Sequence, residues 1–140
     1  MSDLKNTKSA EELMNWFIEE YNKGKGYAAV IMHPEGTLEE RPSATYPNGR
    51  KVDTAGLVGM ENRQLALQGN RRLIPQRIAV IDPAGEAFVQ YTHKGHTADG
   101  AEITFFGLSV IQFKEDKVFR WVDTVVRFKK ENGSDEIVPY

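Results

Sequence analysis

Cysteine is absent from this chain of 140 residues, which removes thiol nucleophiles, disulfide staples and cysteine-based metal sites. Neither sign of charge is in excess. Eighteen Lys plus Arg stand against 20 Asp plus Glu, for a net charge of -2, and no basic block could neutralise a phosphate backbone, so no nucleic acid partner is expected. Uncharged apolar runs stay far short of the ~20 residues that cross a bilayer, and Met1 to Asn6 lacks the apolar stretch of a signal peptide. No membrane partner and a cytoplasmic location are therefore expected. Glycine-rich phosphate loops, Walker motifs and nucleophile elbows are also missing.

What is present is a hydrophobic fraction of 40%. At this length folding buries roughly 65–70% of the surface of the unfolded chain, enough for an apolar core with a small-molecule cavity. A single domain over 1–140 is expected, with 1–8 and 129–140 as flexible tails.

Ser9-Ala10-Glu11-Glu12 reads as a capping box opening a helix, whose stripe is Leu13, Trp16, Phe17 and Tyr21 and whose stop is Gly24 and Gly26. Tyr27 to Met32 predicts a brief second helix, closed by His33-Pro34. Thr37 to Arg41, followed by Pro42 and Pro47, predicts an irregular edge strand, and Leu57 to Gln68 a third helix. The period then changes. Arg72 to Ile81, Glu86 to His96, Ala101 to Phe113 and Val118 to Phe128 read as strands of an antiparallel meander with short hairpin connections. Helices first and a meander after predict an α+β fold in which three helices of the N-terminal half cover one face of a curved antiparallel sheet. On the last strand, alternation places Val118, Val122 and Val126 on one face and Phe119, Trp121, Asp123 and Val125 on the other. Both faces are thus expected to be largely buried, one under helices and the other lining a cavity or a subunit interface.

Two motifs carry a family resemblance. Lys117-Val118-Phe119-Arg120-Trp121-Val122-Asp123 and Glu39-Glu40-Arg41-Pro42 resemble the last and first strands of the SnoaL-like branch of the nuclear transport factor 2-like superfamily, and the resemblance covers nearly the whole chain. It implies a cone-shaped α+β fold around an apolar pocket, with an acidic residue of the last strand projecting into that pocket. The family includes polyketide cyclases, ketosteroid isomerases, scytalone dehydratase, limonene epoxide hydrolase and non-catalytic members. The resemblance also implies homodimers paired through the sheet. Two departures matter. The Arg-x-Asp of limonene epoxide hydrolases falls on Gln90-Tyr91-Thr92, so that triad is incomplete. Arg41 stands where ketosteroid isomerases have an aspartate before the proline, and Glu40, one residue earlier, turns to the opposite face.

Among candidate residues, Asp123 has apolar neighbours at two-residue spacing, which favours a raised pKa and general acid or base work; the alternative is a structural carboxylate paired with Arg63 or Arg127. Glu40 is a second carboxylate for the same cavity or ordinary surface charge. His93 shares parity with Ala87, Val89 and Tyr91 and is a proton shuttle or a hydrogen-bonded sheet histidine. His93 and His96 point to opposite faces unless Gly95 hosts a bulge, so no metal site is expected. Trp121, Phe105 and Phe119 are expected as pocket walls, and Tyr46, Tyr91 or Tyr27 as a donor to an oxyanion. The sequence thus predicts a cofactor-independent acid/base enzyme, with catalytic Asp123, His93 and Glu40, acting on a small apolar oxygenated molecule. The alternative is a non-catalytic binding or homodimerising module.

Overall fold

The computed structural model describes residues 5–23, 26–42, 47–68, 72–81, 85–96, 102–130 and 135–137. Tyr46 lies outside these residues, as do the side chains of Asn62, Arg63, Gln64, His96 and Arg127. The order of elements is α1 (Ala10–Asn22), α2 (Tyr27–Ile31), β1 (Met32–Glu40), β2 (Arg50–Asp53), α3 (Thr54–Gln68), β3 (Arg72–Ile81), β4 (Glu86–His96), β5 (Glu102–Lys114), β6 (Lys117–Lys130) and β7 (Asp135–Ile137). The three helices pack on a curved mixed sheet, an α+β cone.

Helix α1 begins where local chemistry dictates. Ser9 Oγ accepts from the Glu12 amide at 3.1 Å, and the Glu12 carboxylate returns the bond to the Ser9 amide. Leu13, Met14, Phe17 and Tyr21 are buried on one side of it. Trp16, expected on that stripe, is only partly buried and lies beneath the ammonium of Lys117, 5.2 Å from the ring centroid. Helix α2 starts after Gly26, whose φ of +75° suits a residue without a Cβ. The Ala28 amide near its start donates to the buried carboxylate of Glu61 at 3.2 Å.

The strand order is β2-β1-β6-β5-β4-β3, with β7 on β6. Strands β3 to β6 form the antiparallel meander. The expectation of an all-antiparallel sheet is corrected at one seam, because β1 runs parallel to β6. β1 is also interior, flanked by β2 and β6, so it is not an edge strand. Pro34 fits there because the β1–β6 register shifts between Met32 and Thr37, where a missing N–H breaks no ladder bond.

The described stretches of the expected tails carry structure. Asn6 Nδ2 donates to the Phe113 carbonyl at 2.8 Å, and the Asp116 amide donates to Asn6 Oδ1 at 2.9 Å. At the other end, Asp135–Ile137 pairs with Arg127 to Lys129 of β6.

The alternation expected for β6 is also corrected. Gln112 pairs with Arg120 but Phe113 pairs with Val118, so Phe119 is an extra residue in a bulge. Val118 and Trp121 consequently both reach the core, at 0% and 6% exposure. Phe119 meets His33 edge-on at 5.5 Å and lies under Lys114. Beyond the bulge, Trp121 and Asp123 keep regular pairing with Ile111 and Ser109.

Candidate active site

Three strands bring polar groups to the helix-covered face around Asp123. Neighbouring residues in register share a face, so Ser109, paired with Asp123, and Tyr91, paired with Gly107, lie beside it. Tyr91 Oη donates to Asp123 Oδ1 at 2.5 Å and Ser109 Oγ donates to the same oxygen at 2.7 Å. Trp121 Nε1 in turn donates to Ser109 Oγ at 3.2 Å. Asp123 is partly buried. Burial pushes its carboxyl up to about 6, against the pull of the Tyr91 and Ser109 donors, and the nearby charge of Glu40 adds to the rise. Burial, and then the Asp123 charge, push the Tyr91 phenol well above its ordinary value. Tyr91 therefore stays neutral and keeps its proton for the carboxylate.

Gly107 makes this approach possible. A Cβ at that position would stand 2.5 Å from Tyr91 Oη and 2.7 Å from the Thr124 carbonyl oxygen.

Glu40 lies on β1 opposite Asp123 and shares a face with buried Leu38. Its carboxylate is gripped by Arg50, with Nε to Oε2 at 2.8 Å and Nη2 to Oε1 at 3.0 Å. The sequence pairing of the two acids in space is thus present, but Glu40 carries its own counter-ion. His93, paired with Phe105 on the neighbouring strand, stacks on that ring at 5.9 Å. Its Nε2 shares a hydrogen bond of 2.9 Å with Tyr21 Oη from α1. β4 pairs with β5 without a register shift through His96, so Gly95 hosts no bulge. Among the described residues no three His, Asp or Glu side chains converge as metal ligands.

The structure therefore gathers Asp123, Tyr91, Trp121 and Glu40, and places His93 and Phe105 farther along the same face. Phe119 is not brought to this cluster; its bulge sends it towards His33. Tyr27 packs against the Tyr21 ring at 4.5 Å. Trp121, expected as a wall, is a core residue that meets Phe17 edge-on at 5.0 Å. Sequence reasoning missed Ser109, Arg50 and Gly107 and read Tyr21 only as core. Ser109 had a signal, the one polar side chain in the apolar run from Phe105 to Ile111. Arg50 had none, since its role depends on the β1–β2 register.

No family model matches the sequence, and no curated protein matches it. Solved structures do. IdmH from Streptomyces antibioticus, a candidate polyketide cyclase, superposes with a TM-score of 0.65 at 13% identity, covering 89% of this chain and 94% of that one. An epoxide hydrolase of the limonene type from M. tuberculosis gives 0.65 at 8% identity, covering 83% and 81%. A protein with a ketosteroid isomerase-like fold from Catenulispora acidiphila gives 0.64 at 13% identity, covering 80% and 83%. The chain thus shares the ketosteroid isomerase-like fold of these structures, the fold that its sequence resemblance implies. Structural neighbours of this chain are often named for enzymes, and one scaffold of this kind hosts many chemistries. No helix among the described residues is long and apolar enough to cross a membrane.

Proposed function

We propose that the protein is a cofactor-independent acid/base enzyme that isomerises, cyclises, dehydrates or hydrates a small apolar oxygenated molecule in the cytoplasm, with Asp123 as the principal acid or base. The observation that carries this reading is a carboxylate set among apolar and aromatic side chains, held by two hydroxyl donors and with a pKa raised to about 6. Such a group is poised between its two protonation states near neutral pH. In the simplest step the carboxylate removes a proton from carbon beside a carbonyl. With a β,γ-unsaturated carbonyl substrate, the C–H electron pair becomes the C=C of a dienolate as the carbonyl π pair moves onto oxygen, and Asp123–H returns the proton at the γ carbon as the carbonyl re-forms. The Tyr21–His93 pair is suited to donate a hydrogen bond to that oxygen, Phe105 to stack on a planar substrate, and Glu40 to supply negative charge that keeps Asp123 basic.

Replacing Asp123 by Asn should lower kcat on a substrate found by screening ketones, lactones and epoxides by about 10²–10⁴-fold. Undiminished turnover would end the assignment. The rival reading, a non-catalytic small-molecule carrier, is favoured by one observation: Tyr91, the nearest phenol, spends its proton on Asp123 rather than on a ligand. Under that reading a bound ligand is recovered chemically unchanged.

The protein is further proposed to form homodimers through the sheet face opposite the helices. Phe88 and Leu108 are 39% and 48% exposed there, beside a depression of about 220 Å³ bounded by Glu86, Val110, Gln112, Arg120 and Val122. Sedimentation should give a dimer for the parent and a shift towards monomer for Leu108→Glu.

A further inference from the structure

Ser109 is 2% exposed and sits between a group that can only donate and a group that, when ionised, can only accept. The indole N–H of Trp121 points at Ser109 Oγ at 3.2 Å. A serine hydroxyl has a single proton and two lone pairs, so an indole donor on one lone pair steers that proton away from Trp121. It falls on Asp123 Oδ1, 2.7 Å away. Tyr91 reaches the same oxygen from β4. Both side-chain hydrogen bonds thus converge on Oδ1, Oδ2 has no side-chain donor among the described residues, and the Thr124 amide is the carboxylate's backbone donor. The backbone holds the same strand from behind, because the Arg41 amide donates to the Asp123 carbonyl at 2.9 Å.

We propose that Trp121 is a positioning residue that acts on Asp123 through Ser109: the indole orders the serine proton, and the ordered serine anchors Oδ1 so that Oδ2 is the oxygen that exchanges protons with a bound molecule. The assignment of Oδ2 rests on the acid/base reading above; the ordering of Ser109 by Trp121 does not. Among the described residues, the titratable and charged groups bearing on Asp123 are Tyr91 from β4 and Glu40 from β1, the latter tied to Arg50 of β2. None of these contacts changes when Trp121 loses its N–H, so the relay can be isolated.

The experiment is a carboxyl ¹³C NMR titration of the full chain, with Asp123→Asn locating the resonance. Ser109→Ala removes a donor to the charged form and should raise the Asp123 midpoint by about 0.5–1 pH unit. Trp121→Phe keeps an aromatic side chain at this core position but removes the indole N–H, so the serine proton is free to rotate. It should raise the midpoint by a smaller amount, on the order of 0.3 unit by the same reasoning. The double variant should shift no further than Ser109→Ala alone, because a residue acting through another adds nothing once the intermediary is gone. Fully additive shifts, or no shift in Trp121→Phe, overturn the proposal.

Should Trp121→Phe fail to fold, Ser109→Ala still reads the contact. The chain has 2 tryptophans, and only the Trp121 indole cross-peak should move and exchange faster with solvent; an unmoved peak overturns the relay. Because no substrate enters these measurements, a failed turnover assay with the ordering intact refutes only the enzymatic reading. Lost ordering beside an inactive Asp123→Asn refutes only the relay.

Discussion

Asp116 and Asp123 belong to the same β5–β6 hairpin, one in its turn and one on its returning strand, and their surroundings drive them in opposite directions. Asp116 collects the Thr7 hydroxyl and the amides of Thr7 and Lys8, the latter two at 2.8 and 3.2 Å. Burial alone would raise its pKa, but those donors and the charge of Lys8 bring it below the usual carboxylate range. Asp123 has its own donors, yet burial wins and the group rises to about 6. The number of hydrogen bonds therefore does not decide the proton affinity of a carboxylate. Access to water and the sign of the neighbouring charges do. Asp116 is bound as an anion that ties the chain together, whereas Asp123 is left near the balance point that proton transfer requires.

The most severe way to break this contrast is Gly107→Ala. The new methyl would collide with Tyr91 Oη and a main-chain oxygen, pushing Tyr91 off Asp123 at a cost of about 3 kcal/mol. Thermal unfolding should show a drop on the order of 10 °C, while the Asp116 end stays intact by amide exchange. A smaller effect tests the signs directly. The folded pKa of Asp123 lies above its unfolded value, so the stability it contributes is complete below about pH 4 and is lost as pH rises through 6. Asp123→Asn, neutral throughout, should exceed the parent by about 3 kcal/mol at pH 8 and match it below about pH 4. Asp116 is depressed, so its contribution is present above about pH 4 and fades as pH falls through its folded value. Asp116→Asn should therefore cost about 1 kcal/mol at neutral pH and progressively less as the pH falls through the folded value. Asparagine also tolerates the φ of +61° found there. Unfolding midpoints across pH that moved the same way for both variants would erase the distinction.

Much of this fold could be read from residue patterns because its signals are local. Ser9 and Glu12 announce α1, and period-two alternation marks the meander nearly to its ends. Reading failed where a partner strand decides the outcome. Nothing near Phe119 signals a bulge, since the extra residue exists only relative to Gln112 and Phe113 across the ladder. One misplaced residue then assigned Val118 to the wrong face and Phe119 to the wrong wall. Asp123 stood out through its neighbours at two-residue spacing, of which the structure keeps Trp121 on its face and sends Phe119 towards His33. Its actual partners could not be read, because Tyr91, Ser109 and Glu40 meet it only through the registers of β4, β5 and β1. The parallel β1–β6 seam is invisible for the same reason.

The clasp between Thr7 and Asp116 spans a sequence separation of 109 residues. During synthesis at roughly 5–20 residues per second, Thr7 therefore waits on the order of ten seconds before its partner is even made. The turn it must find, with Glu115 and Asp116 both at positive φ, exists only once β5 and β6 have paired. Made well before its partner, this segment docks only after that turn has formed, so its closure reports that the hairpin carrying Asp123 is already in place.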